Sequence, residues 1–393
     1  EHAVMHAPRL LDRQLIEREG ALEQENLKAR WLPSLTLNGK VSYQSDVVSL
    51  DISDPAFPFS FPEMPHEQYG INLDVEQVLY DEGATASRKK YVSWQTEVEL
   101  QALEVDLHKV RENVSSLYFD ILLLQENRKN LEIALYNLKE REKWMNTSLV
   151  HGTARETDLM VIQVEILKTL QSLDEIDSHR KSMIRMLSVF TGRELSDHTF
   201  FSVPYIEIAN PDSACRPEQT WFTMQGHAME VGKQLAGTKR RPVVFAFGQA
   251  GAGRPGYNML NDELDSYYRV GAGFKWSIWD WNQTRREKQL IEIRKEKLHN
   301  AEQTFIQQMD AASAKILENM AHYRDALELD QKMLKMQVEI TRDAASQLEN
   351  GVITATNYAL ELNKEKMARN TLSAHQIELL KALATYNLLQ GTY

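Results

Sequence analysis

The chain has 393 residues, with 45 Lys and Arg against 56 Asp and Glu and a net charge of −11. That balance argues against a nucleic-acid partner, whose phosphates need a basic face. The single cysteine, Cys215, excludes an internal disulfide and a Cys-rich metal site, and no apolar run approaches the ~18 residues of a membrane helix.

The chain opens at Glu1 without an initiator Met or a charged-then-apolar leader and reads as a processed or trimmed product. His2 and His6 form the one HxxxH spacing, in a terminus expected to fray, so no metal is expected there. A helix is predicted over 8–30. Strands follow at 34–46 and 69–80, where polarity alternates with period two. In "SLTLNGKVSYQ", Leu35, Leu37 and Val41 share one face, opposite Asn38 and Lys40; in "GINLDVE", Ile71, Leu73 and Val75 oppose Asn72, Asp74 and Glu76. The connecting loop 47–67 contains "DPAFPFSFPEMP", whose prolines deny it regular structure.

A helix over 83–150 would be roughly 100 Å long at 1.5 Å per residue. Its apolar residues step by three and four from Leu100 to Leu149, a coiled-coil stripe interrupted at Arg128 and Glu142. A tight turn at Gly152 leads to an antiparallel helix over 156–191. A linker over 193–216 carries one strand candidate near 200–208.

The plan then recurs: helix 217–238, strands 242–251 and 266–279, long helix 282–349 and helix 356–390. Val270, Phe274 and Trp276 line one face of the last strand, opposite Arg269 and Lys275. Asp81 and Asp280, Gly152 and Gly351, and Gly192 and Gly391 are all 199 residues apart. Two repeats, 1–216 and 217–393, are therefore expected. All eleven prolines avoid the spans 66–203 and 256–393, which suits long helices in both copies. The second stripe is weaker, broken at Ser313, Asp330, Gln337 and Thr341.

Little sequence remains to cover the apolar faces of four such strands. A membrane barrel resolves this, with lipid outside and water inside. The lipid face is then Leu35, Leu37, Val41, Ile71, Leu73, Val75, Val270, Phe274 and Trp276. Tyr43, Tyr69, Tyr80, Tyr267, Tyr268, Trp279 and Trp281 gather at strand ends, as an interfacial girdle would.

"LKARWLPSLTLNGKVSY" (27–43), "QVLYDEGATAS" (77–87), "TKRRPVVFAFGQ" (238–249) and "SIWDWNQTR" (277–285), with the tips "LVHGTARETD" (149–158) and "LENGVITATN" (348–357), resemble the outer-membrane efflux protein (TolC) family over nearly the whole chain. The resemblance implies a mixed α+β membrane protein. Its four transmembrane strands per chain would join a trimeric twelve-stranded barrel, continued by a long antiparallel coiled-coil tunnel into the periplasm of a Gram-negative bacterium. It implies a passive exit duct of a tripartite efflux or type I secretion system, without cofactor, metal or bond chemistry. The partners implied are two further copies, outer-membrane lipid, an inner-membrane pump of the proton-driven RND or ATP-driven ABC type, and a periplasmic adaptor. The adaptor would meet Gly152, Thr153, Thr157 and Asp158 on one tip and Gly351, Val352, Ile353, Thr354 and Thr356 on the other, with "VITAT" exposed. The tunnel entrance falls at Asn357, Leu360 and Glu361. Relatives carry cation-selecting aspartates there; Asn357 and Leu360 depart from that pattern, and Glu361 is the nearest acid. Loop 47–67 would face the cell exterior and Cys215 the equator of the periplasmic helices.

Two other classes compete. A periplasmic coiled-coil scaffold or adaptor accounts for the heptads but not for four alternating strands at matched positions. An enzyme has the least support: the acids Glu156/Asp158 and Asp262/Glu263/Asp265 read as solvated turn charges, and "GQAGAGRPG" (248–256) lacks the GK[ST] ending of a phosphate loop.

Overall fold

In a computed structural model, residues 1–48, 64–208, 216–258 and 262–392 are described. Most of loop 47–67, and Cys215, fall outside them. The elements in chain order are α1 (His2–His6), a 3₁₀ turn (Pro8–Leu11), α2 (Asp12–Ala29), β1 (Ser34–Tyr43), β2 (Glu67–Tyr80), α3 (Ala84–Val150) and α4 (Glu156–Thr191), then α5 (Pro217–Thr238), β3 (Val243–Arg254), β4 (Asp265–Lys275), α6 (Gln283–Glu349) and α7 (Ala355–Leu389). Two compact units emerge. One comprises 14–100 and 222–299; the other comprises 1–13, 101–221 and 300–393.

The first unit holds one antiparallel sheet in the order β1-β2-β3-β4. β3 runs three residues beyond its expected end, through "GAGR". A Cβ on Gly251 would meet the Ile71 carbonyl oxygen at 2.6 Å, so glycine there admits the neighbouring strand rather than forming a turn. β4 stops at Lys275, short of the expected 279. Lys275 pairs with Val243, and the residue before Val243 is Pro242, which has no N–H to continue the ladder.

Each strand pair ends in the same turn. Asp81 accepts the backbone N–H of Gly83 at 3.0 Å and of Thr85 at 2.7 Å. Asp280 accepts the N–H of Thr284 at 2.9 Å. The next two residues have positive φ in both turns, 48° and 80° at Glu82 and Gly83, 51° and 61° at Trp281 and Asn282. Both helices that follow contain 67 residues.

In the second unit the α3 stripe is buried at Leu103, Leu107, Leu117, Ile121, Leu131, Leu138 and Met145. In α6 full burial of the expected stripe is confined to Met320, Ala344 and Leu348. Five of the six polar residues that break the stripes, all but Ser313, bond a facing helix. Arg128 Nε donates to Asp177 at 2.8 Å, and Gln163 donates to Glu142 at 3.1 Å, joining α3 to α4. Between α6 and α7, Asp330 lies 2.5 Å from His375 Nδ1, Gln337 donates to the Glu361 carboxylate at 3.0 Å, and Thr341 donates to the Glu361 carbonyl at 3.3 Å.

Two expectations are corrected. The N-terminus is a docked helix, with Ala3 and Val4 buried and His2 bonded to Arg193 at 2.7 Å, rather than a frayed end. Residues 193–208 contain no strand. Helix side chains satisfy their backbone instead: Gln125 both accepts from Phe201 N–H at 3.1 Å and donates to its carbonyl at 3.0 Å, and Tyr118 donates to the Ser202 carbonyl at 2.6 Å. Phe201 itself is buried against Leu117, Ile121 and Ile184.

Burial pushes the Asp81 carboxyl up, but bonds from Thr85 and Gly83 outweigh it and hold the group below its ordinary value of 3.8. The stronger acid in the folded state means that this cap stabilises fully above that value and is lost as pH falls through the folded one. Asp81→Ala should therefore cost about 0.5–2 kcal/mol in neutral denaturant titrations, and the difference from wild type should shrink in acid. An unchanged midpoint at neutral pH would show that the turn does not depend on this carboxylate.

Candidate functional site

The register assigns the two faces of the sheet. Leu35 pairs with Val75, Leu37 with Leu73, Val75 with Gly248 and Gly248 with Val270, so these residues lie on one face. That face is open: Val41 is 86% exposed, Val270 and Phe274 75%, and Leu35 and Leu37 close behind, with Ile71 and Leu73 also exposed. Val75 is half-buried. Trp276 is exposed but lies one residue past β4, its indole N–H donated to the Arg240 carbonyl at 3.0 Å.

The opposite face carries a connected polar network. Asp74 accepts from Asn38 at 2.5 Å, Asn72 at 2.7 Å and Gln249 at 2.6 Å, and Gln249 accepts from the Tyr257 hydroxyl at 2.7 Å. The Arg269 guanidinium lies 5.5 Å from the Phe247 ring centroid. Phe245 and Phe247 belong to this polar face, since Phe247 pairs with Glu76. Their rings cross Gly273 and Gly271, where a Cβ would come within 2.7 Å of them. Alternation alone gave no warning of this: a pair of facing glycines is the signal, because it leaves room on β4 for rings from β3.

Of the expected girdle, Tyr43, Tyr69, Tyr80, Tyr268, Trp279 and Trp281 are exposed. Tyr267 turns to the polar face and packs on Tyr257 with ring centroids 4.4 Å apart.

The helix hairpins have their own geometry. Gly152 and Gly351 adopt φ of 71° and 70° with open space around the missing Cβ. The following N–H returns to a helix carbonyl in both, Thr153 to Ser148 at 2.9 Å and Val352 to Gln347 at 2.8 Å. This is the glycine-closed helix end that needs a left-handed residue. Thr354 caps α7 by accepting from Asn357 N–H at 3.4 Å. Asp158 joins the two tips by accepting the Ala355 N–H at 3.3 Å. Arg141 pairs with Glu349 and lies 5.6 Å from the Tyr358 ring centroid. Gly152, Thr153, Thr157, Gly351, Thr354 and Thr356 are exposed and Asp158 is half-buried.

The expectation that "VITAT" is exposed holds only in part. Val352 is 70% exposed. Ile353 packs on the cluster of Leu138, Met145, Ile162, Leu348 and Tyr358, and Ala355 is fully buried within it. The first turn of α7 must carry one apolar residue inward, and Ile353 staples that entry.

At the expected entrance, Asn357 and Leu360 are exposed. Glu361 is engaged: Lys364 and then Gln337 bond its carboxylate and hold it below the ordinary range. Among the described residues no cluster of His, Cys, Asp or Glu could hold a metal ion, and no helix is long and apolar enough to cross a membrane.

No protein-family model matches the chain, and no curated protein matches it. Solved structures match it along its whole length. The outer-membrane channel OprN gives a TM-score of 0.76 at 14% identity, over 100% of this chain and 89% of that one. The open state of the Neisseria gonorrhoeae MtrE outer-membrane channel gives 0.73 at 14% identity, over 100% and 87%. The outer-membrane protein VceC of Vibrio cholerae gives 0.72 at 11% identity, over 100% and 95%. The chain has the α+β fold of these outer-membrane proteins.

The two neighbouring tip residues should part company on mutation. Ile353→Glu should lower stability by about 1–3 kcal/mol, because it drives a charge into an apolar cluster. Val352→Glu should stay within about 0.5 kcal/mol of wild type. Equal losses in thermal unfolding would mean that Val352 is packed as well.

Proposed function

We propose that this chain is one subunit of a trimeric outer-membrane exit duct, passively conducting material from the periplasm and an inner-membrane pump to the cell exterior. The observation that carries the reading is the sheet. One face exposes Leu35, Leu37, Val41, Ile71, Leu73, Val270 and Phe274, while the other keeps Asp74, Gln249 and Asn38 in one hydrogen-bonded set. Lipid against the first face and water against the second suit such a division.

The edges support an assembly of several copies. β1 and β4 end the sheet, and closed membrane barrels need at least about eight strands, so four per chain must be completed by other copies. Three copies in a ring give the twelve-stranded barrel of the family that the sequence resembles, and cyclic symmetry closes it. Matched turns at Asp81 and Asp280, helices of equal length and matched glycine tips support a duplicated plan, which would make the ring quasi-sixfold. In this reading the helices continue the duct into the periplasm, and the tips around Gly152 and Gly351 receive the adaptor's helical hairpin. The likeness to OprN and MtrE, both outer-membrane channels, supports the same conclusion. A periplasmic scaffold or adaptor would have to place the open apolar face in water.

Two experiments test this. Val41→Arg should cost about 2–4 kcal/mol in membrane assembly, whereas Asn38→Arg, facing Asp74, should assemble nearly as wild type. Equal assembly of both variants in membrane fractions would reverse or abolish the assigned faces. A photocrosslinker at Val352 should capture a periplasmic adaptor in cells. Capture of other copies of this chain alone would remove the adaptor from the tips.

A further inference from the structure

A cavity of about 620 Å³ opens beside the end of β4, within the unit that holds the sheet. Its walls come from the last turns of α5, the segment after β4 and the first turns of α6. Four cations line it, Lys233, Arg240, Arg285 and Lys288, against one acid, Glu292. Glu292 is already paired with Lys233. Arg240 donates to the Ile278 carbonyl at 3.0 Å, which fixes its guanidinium at the rim. Among the described residues Arg285 and Lys288 have no carboxylate partner. The Lys288 ammonium is seated over α5, where a Cβ on Gly237 would come within 2.8 Å of it. Glycine at that position keeps the cation in the cavity wall.

This local excess of positive charge stands out in a chain of net charge −11. The apolar part of the same wall is Trp276 and Ile278, both exposed. Trp279 and Trp281 follow at once, with ring centroids 5.9 Å apart, and they too are exposed. Cations beside exposed indoles, immediately past the end of an apolar strand face, match the two ends of an amphiphile. Guanidinium and ammonium groups suit a phosphate oxygen, and the indoles suit the glycerol and upper acyl region.

We propose that this cavity binds the phosphodiester headgroup of an anionic membrane phospholipid, with Arg285 and Lys288 on the phosphate and Trp276 and Ile278 against the chains. The inference rests on the membrane reading of the sheet. It adds a lipid site that the alternation of the strands does not imply. The matching positions 199 residues earlier do not repeat the set: Lys89 stands for Lys288, but Ala86 stands for Arg285, Gln77 for Trp276 and Glu82 for Trp281. Each chain therefore holds one such site.

The test uses the full assembled chain in nanodiscs of mixed phosphatidylcholine and phosphatidylglycerol, with retained lipid read by native mass spectrometry after detergent extraction. Wild type should retain phosphatidylglycerol selectively, at up to one molecule per chain. Arg285→Gln with Lys288→Gln should lower that preference about thirtyfold, the factor expected if each cation contributes about 1 kcal/mol against an anionic lipid. Lys239→Gln with Lys295→Gln removes the same net charge from acid-paired surface positions and should leave the preference intact. Inorganic phosphate and soluble glycerophosphoglycerol should not displace the retained lipid. Equal loss in both double variants would reduce the effect to net charge and overturn the site. Displacement by inorganic phosphate would make it a soluble-anion site instead. Insertion into the discs without any headgroup preference would remove this inference alone, whereas failure to insert would remove the membrane reading with it.

Discussion

Every N–H and C=O of a strand needs a partner, and in this sheet β1 and β4 find theirs on one side only. In water the free edge is solvated, but in hydrocarbon each unpaired group costs several kcal/mol. The apolar face makes the opposite demand, since exposed Leu, Val and Phe side chains each favour leaving water by about 1.5–3 kcal/mol. A single copy cannot meet both demands at once. Joining edge to edge with further copies does, because closure removes the edges while leaving the apolar face turned outward. In such a barrel the polar network centred on Asp74 would face the lumen, where water can meet the remaining lone pairs. In the proposed barrel, faces, edges and the need for further copies thus answer to one requirement, the pairing of backbone in lipid.

The helices solve a different problem. A stripe of Leu and Ile along a helix of 67 residues fixes which face is buried but says little about axial position, since a slide of one heptad restores similar packing. The interruptions supply what the stripe omits. Arg128 with Asp177 and Glu142 with Gln163 sit equally far on either side of the Gly152–Thr153 bond, so both pairs enforce one alignment of α3 on α4. Asp330, only 4% exposed, would be an uncompensated buried charge if α7 slid and carried His375 away. A polar residue at a core position costs stability and gains register, the trade known from coiled coils. The weaker apolar stripe of α6 and its larger share of polar partners fit together in this way.

Much of this was legible in the residues. Absence of proline over two long spans, period-two alternation and the 199-residue offset locate the helices, strands and turns to within a few residues, because each reflects local backbone physics. What was not legible depends on neighbours. The end of β4 is set by Pro242 on the strand beside it, not by anything in "WSIW". The segment near 200–208 reads as a strand candidate, but Phe201 and Ser202 take their hydrogen bonds from Gln125 and Tyr118 on α3. Ile353 reads as an exposed tip residue and is packed, because the cluster that receives it lies on α3, α4 and α6. The basic cavity was invisible for the same reason. Lys233, Arg240 and Lys288 are unremarkable in sequence and gain meaning only when α5 and α6 bring them to one wall.

The two strand-to-helix turns separate what the fold requires from what a site adds. Their backbones agree, with an aspartate cap followed by two residues of positive φ. In the first copy the second of these is Gly83, which adopts such a conformation freely. At the first position a side chain sits in the left-handed region in both turns, Glu82 at φ 48° and Trp281 at φ 51°, at a cost of order 1–3 kcal/mol each. A glycine there would relieve that strain without changing the turn. The tryptophan instead projects an exposed ring beside Trp279, next to the segment that walls the basic cavity. The first turn has Glu82 at that position, Ala86 where the second has Arg285 and Lys89 where it has Lys288, so it lacks the indole and keeps one of the two cations. What sets the second turn apart is its exposed indoles beside Arg285 and Lys288, not backbone strain, which Glu82 shares with Trp281. An anionic amphiphile would engage both, the cations taking its phosphate and the indoles its apolar part.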